Sequence, residues 1–109
     1  MRKLKISYNP EAEAKWVDLV IRAQSGDNEA YEELSESHLS IIEHYAKFFG
    51  RNCTIPQEEI VNLGRIGLAE AVKEFKASYK SGFPSFANAY IRDKIMKGIE
   101  EWKDQHTNK

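Results

Sequence analysis

Apolar positions recur every three or four residues through most of this chain, and glycines, prolines and short polar runs punctuate the stretches that carry them. From Glu11 to about Ser25, Trp16, Leu19, Val20 and Ala23 fall at helical spacing. Gly26 ends that stretch. Asp27 suits the start of the next, because its carboxylate can accept the free amide hydrogens of a new helix. The second helix is predicted from about Asn28 to Phe49, with Ala30, Tyr31, Leu34, Ile41, Ile42, Tyr45, Phe48 and Phe49 on its apolar side and Gly50 closing it. Thr54-Ile55-Pro56-Gln57 has the capping-box pattern with a proline in the first turn, and predicts the start of a third helix. That helix carries Ile60, Leu63, Gly64, Gly67, Leu68, Ala71, Val72 and Phe75. Gly64 and Gly67 lie on nearly the same face and cost about 1 kcal/mol each relative to alanine, which predicts close approach of another backbone. After the polar, basic loop 77–82, a fourth helix is predicted from about Pro84 to Trp102, burying Phe86, Ala87, Tyr90, Ile91, Ile95, Ile99 and Trp102. No run alternates long enough to be a strand. The pattern predicts an all-α protein, a compact four-helix bundle of three main helices plus an N-terminal one. Residues 1–10 are expected as an extended lead-in, 11–103 as the domain and 104–109 as a frayed tail.

Composition narrows the function classes. The chain's 109 residues fit one domain, and 41% hydrophobic content is enough for a helical core without disulfides or metal. A formal net charge of −1 gives no overall pull toward nucleic acid or membrane. The distribution is less even: between Lys73 and Lys97, six bases (Lys73, Lys76, Lys80, Arg92, Lys94, Lys97) face two acids (Glu74, Asp93), a local +4. A phosphate-binding face needs such a surface, and a solvated face also accounts for it. Cys53, the single cysteine, excludes an internal disulfide. No signal-like or membrane-length apolar stretch appears, so a cytoplasmic protein is expected.

Catalytic and metal chemistry find little support. His38 and His44 are six residues apart on one predicted helix, about 600° of turn, and so point to different faces. His106 lies in the tail. Zinc would need a cysteine or histidine cluster that this sequence lacks. Cys53 has no obvious basic neighbour, and no glycine-rich phosphate loop is present. The expectation is a non-enzyme without cofactor or metal. What stands out is aromatic and basic together: Phe83, Phe86 and Tyr90 interleave with Arg92, Lys94 and Lys97. Rings stack on unpaired bases while cations neutralise phosphates beside them. From the residues alone, burial in the core is the favoured reading of Phe86, Tyr90 and Ile91, since rings at helical spacing usually pack inward.

Three ordered motifs add a resemblance. Asp18-Leu19-Val20, then Ala23-Gln24-Ser25-Gly26-Asp27, then Ala30-Tyr31-Glu32-Glu33-Leu34 resembles the opening of region 2 of the sigma-70 family of RNA polymerase sigma factors, which are bacterial transcription proteins. Glu59-Ile60-Val61-Asn62-Leu63-Gly64-Arg65-Ile66-Gly67-Leu68 is similar to that family's Asp-Leu-x-Gln-Glu-Gly-x-x-Gly-Leu, continued by Ala71 and Phe75. Phe83-Pro84-Ser85-Phe86-Ala87, with Ala89-Tyr90-Ile91-Arg92 and Ile95, resembles its Phe-Ser-Thr-Tyr-Ala, two aromatics, Ile-Arg and a later Ile. The resemblance implies a region 2-like bundle whose third helix docks on the clamp coiled coil of the largest subunit of core RNA polymerase. It implies a fourth helix that opens promoter DNA and holds the non-template single strand of the −10 element. On that basis Glu59, Asn62, Leu63, Arg65 and Ile66 are the expected polymerase-binding residues. Lys80, Phe83, Phe86, Tyr90, Arg92, Lys94 and Lys97 are the expected DNA-binding residues, and Phe86 moves from core to base-stacking ring.

The departures shape the alternatives. Leu63 stands where the family has a glutamate, and Ala89 where it has the first of two rings. The sequence ends at Lys109 with no helix-turn-helix after the resemblance, so a separate region 4-type partner reading the −35 element is expected. A second expectation is a protein–protein module that binds polymerase or an anti-sigma factor without opening promoters. A stand-alone duplex binder is disfavoured by the net charge, because such proteins are usually strongly basic.

Overall fold

The computed structural model describes residues 10–79 and 82–107. Among them are four helices, α1 (Pro10–Gln24), α2 (Asn28–Gly50), α3 (Gln57–Glu74) and α4 (Phe83–Thr107), and no strand. This is the all-α bundle that the periodicity predicts. Of the expected lead-in, Pro10 already belongs to α1, and residues 1–9 lie outside the described residues.

Helix boundaries follow local chemistry, with two corrections. Gly26 takes φ 101, a left-handed turn that reverses the chain. Asp27 then caps α2: its Oδ1 accepts from the Ala30 amide at 3.2 Å, as expected. At α3 the predicted capping box does not form. Pro56, in an extended conformation, is the capping residue, without a side-chain hydrogen bond. Its carbonyl accepts from the Glu59 and Ile60 amides, and Glu58 and Glu59 place acid at the positive helix end. The second correction is the end of α4, which runs on to Thr107 instead of fraying after Trp102. No glycine or proline follows Gly98 to stop it.

The core is drawn from all four helices. Val20, Leu34, Ile42, Ile60, Leu68, Phe83, Ile91 and Ile95 have almost no exposed surface. α3 and α4 make the most extensive pairing. The expected close approach occurs at Gly67, where a Cβ would stand 2.7 Å from the Tyr90 carbonyl oxygen and 2.9 Å from Ile91 Cα. At Gly64 the neighbours are side chains instead, with Ile42 Cγ2 at 2.6 Å and Ile95 Cδ1 at 3.2 Å from that position. Phe48, expected on the apolar side of α2, is 52% exposed, with the Arg51 guanidinium 5.1 Å over its ring. The domain measures 52 × 44 × 21 Å, so its short axis is only about two helix diameters.

Candidate functional site

The segment leaving α3 and the start of α4 gather a set of rings. Phe75 ends α3, and its ring meets Phe83 edge-on at 5.2 Å and Phe86 at 5.4 Å. Tyr79 lies 5.3 Å from Phe86, and Phe86 lies 4.9 Å from Tyr90. The five rings divide into two sets. Phe75 and Phe83 are buried, whereas Phe86 and Tyr90 are half-buried and Tyr79 is 41% exposed. Phe83 was expected among the DNA-binding residues, but its exposure is 0%. It is packed between Trp16, His38 and Phe75, and a ring with no accessible face cannot stack on a base.

The row Tyr79–Phe86–Tyr90 continues along α4 into basic residues. Phe86, Tyr90, Lys94 and Lys97 recur at four, four and three residues and share one helix flank. Tyr90, Lys94 and Lys97 line a concave spot of about 240 Å³ with Ala89, Asp93 and Glu70. Lys94 pairs with Glu70 of α3 at 3.0 Å. Arg92 is exposed but lies about 600° along the helix from Phe86, on another face, beside Asp93 at 3.6 Å. The structure therefore brings together Phe86, Tyr90, Lys94 and Lys97, and leaves Arg92 apart. Lys80 lies outside the described residues.

A second concavity, about 380 Å³, follows along the same flank of the α3–α4 pair. Its floor is apolar (Ile55, Leu63, Ile66, Trp102) and its rim carries Glu59, Asn62, Glu101 and Gln105. Four of the five residues expected to bind polymerase, Glu59, Asn62, Leu63 and Ile66, line it. Arg65 does not: it lies nearly a third of a turn around α3, where its charge acts on Tyr31 of α2. Ile66 is 48% exposed, an apolar side chain held open to water. Leu63 is half-buried, its methyl groups seated on Gly98 of α4. An apolar residue at 63 thus serves both the helix pairing and the groove. Carboxylates rim the groove, whereas the spot beside the rings carries Lys94 and Lys97 together with Glu70 and Asp93.

Two neighbours escaped the sequence reading. Tyr79 was visible as an aromatic in a polar loop, but nothing in the sequence ties it to Phe86. Glu70 pairs with Lys94 across the helix pair, a contact that only the packing of α3 on α4 creates. Titration is perturbed away from this flank. Burial holds the His38 imidazole below its ordinary value, partly offset by its bond to the Leu34 carbonyl at 2.9 Å. Since a carbonyl only accepts, Nδ1 carries the proton. The Ala30 amide, then Arg22, lower the Asp27 carboxyl. Among the described residues no group of three or more metal-ligating side chains converges. No helix there is long and apolar enough to cross a membrane.

Known proteins supply the frame for these two surfaces. The chain is 30% identical over 94 residues to the RNA polymerase sigma factor SigA of Clostridium acetobutylicum, covering 85% of this chain and 24% of that protein. It is 30% identical over 86 residues to the sigma factor SigA of a Bacillus species, covering 78% and 22% respectively. This is a sigma-factor-like domain. It spans about a quarter of the length of these two relatives. No protein-family model matches the chain.

Proposed function

We propose that this sigma-factor-like domain binds core RNA polymerase and the −10 element of promoter DNA, and so directs transcription initiation. The observation that carries the proposal is the half-exposed row Tyr79, Phe86 and Tyr90 running into Lys94 and Lys97. Rings supply sequence-tolerant stacking for unpaired bases, and ammonium groups one or two turns further on meet the backbone phosphates. The apolar groove with its acidic rim, end to end with that row, takes the clamp coiled coil of the largest subunit. Polymerase then holds the domain in place while the rings capture bases of the non-template strand. Stacking holds open bases that duplex DNA would otherwise reclose.

The test is co-purification of the chain with core RNA polymerase, with Ile66→Lys in parallel, followed by binding to a single-stranded −10 oligonucleotide. Association that Ile66→Lys weakens supports the groove assignment. Failure of the unaltered chain to associate at micromolar concentration overturns the proposal. A second reading, polymerase binding without promoter opening, is favoured by Ala89, which lines the concave spot beside Tyr90 with a methyl group in place of a ring. Abortive-initiation assays on supercoiled templates separate the two, since transcription dependent on this chain rejects the pure binder.

A further inference from the structure

Two side chains of α1 reach across the molecule to opposite ends of the α3–α4 corner. Glu13 Oε2 accepts a hydrogen bond from the backbone amide of Phe83, the first residue of α4, at 3.1 Å. Gln24 Nε2 donates to the carbonyls of Val72 and Phe75, at 2.7 and 3.0 Å, where α3 ends. All three bonds satisfy backbone groups that a helix terminus leaves without an intrahelical partner. The carboxylate also sits at the positive end of α4.

The two contacts belong to one face of α1. Glu13, Val20 and Gln24 are separated by seven and four residues, with Trp16 between them, so the contact points lie about 16 Å apart along the helix. Rings close the circuit. Trp16 stands 6.4 Å from Phe83, and Phe83 stands 5.2 Å from Phe75, whose carbonyl Gln24 holds. Gly82 is fitted to the arrangement twice over. Its φ of 80 suits glycine, and a Cβ there would meet the Glu13 carboxylate at 2.8 Å.

We infer that Glu13 and Gln24 are positioning residues, which hold the corner so that Tyr79, Phe86 and Tyr90 form one continuous surface for a single-stranded nucleic acid. What that surface receives rests on the proposed single-strand binding. The mechanical link is short at both ends. The Phe86 amide bonds back to the Gly82 carbonyl, beside the amide that Glu13 accepts. The Tyr79 amide bonds to the Lys76 carbonyl, in the turn directly after Phe75. A shift of Phe83 or Phe75 therefore carries the exposed rings with it.

The test uses the full chain as wild type, Glu13→Ala, Glu13→Gln and Gln24→Leu, with helicity and Tm recorded for each. Amide hydrogen exchange at Phe83 is followed by NMR, and affinity for a labelled single-stranded −10 oligodeoxynucleotide by fluorescence anisotropy. Glu13→Ala should speed Phe83 exchange and weaken oligonucleotide binding by about ten-fold each, the scale of one lost hydrogen bond. Glu13→Gln keeps an oxygen acceptor in place and should restore most of both. Gln24→Leu should weaken binding by a similar factor while the chain stays folded. Unaltered exchange in Glu13→Ala overturns the contact itself. A lower Tm with unchanged affinity of the folded protein reduces the role to stability and overturns the inference. A wild type that fails to bind the oligonucleotide overturns the single-strand reading, and the exchange result, which involves no DNA, keeps the two failures apart.

Discussion

Phe83 and Phe86 stand three residues apart in the first turn of α4, and their rings have different surroundings. Phe83 is wedged between Trp16, His38 and Phe75, whereas Phe86 is half-buried among Phe75, Tyr79 and Tyr90. Truncating each should separate stability from binding. Phe86→Ala is expected to weaken single-stranded −10 binding by about 1–3 kcal/mol while the protein stays folded. Phe83→Ala should destabilise the fold by about 3–5 kcal/mol, read as a lower denaturation midpoint. Unchanged DNA binding in folded Phe86→Ala would remove that ring from the site. His38, 4% exposed, gives a pH prediction. Its folded value is depressed by burial, so its stabilising contribution is fully present above the unfolded value, about 6.5. That contribution is lost as pH falls from there through the folded value. Tm should therefore drop between pH 7 and the folded value, and His38→Gln should flatten that part of the curve. Asp27, also depressed, acts only lower, as pH falls from about 3.8 through its folded value.

Helix types and order were legible in the sequence because the 3.6-residue period is strong and Gly26, Gly50 and Pro56 interrupt it. The Asp27 cap was legible for the same local reason. Boundaries set by packing were not. Thr54 carries the composition of a capping box, yet buried Ile55 and extended Pro56 start α3 two residues later than that box would. The candidate site divides the same way. Phe86, Tyr90, Lys94 and Lys97 share a flank through spacing alone, so the sequence could group them. Separating Phe83 from Phe86 required knowing which helices cover the first turn of α4, and Glu13 lies 70 residues before the amide it holds. Two glycines at close spacing did forecast one tertiary fact, the approach at Gly67. Gly67→Val is expected to cost several kcal/mol, because its Cβ would press on the Tyr90 and Ile91 backbone, which cannot rotate away. Circular dichroism melts would show it, and a Tm within about 2 °C of wild type would contradict the packing.

Over the whole molecule, charge limits how the domain meets DNA. A net charge of −1 and a flank that offers Lys94 and Lys97 beside the rings leave little long-range attraction to a polyanion. Affinity for a single strand should then depend weakly on salt, with a log–log slope of about −1 to −2 for two neutralised phosphates. Anisotropy titrations from low to moderate salt measure it, and a slope of −5 or steeper would place other cations in the interface. The same arithmetic predicts poor binding to duplex DNA by the domain alone.

The contact of Trp16 with His38 and Phe83 also gives the domain an optical handle. The indole stands 5.4 Å from the imidazole, edge-on, and 6.4 Å from the phenyl ring that begins α4. An imidazolium quenches a neighbouring indole more strongly than neutral imidazole does, so the emission of Trp16 should dim as His38 gains its proton. With Trp102→Phe removing the other indole, Trp16 emission would report, without any added label, whether α1 is seated against the corner it holds.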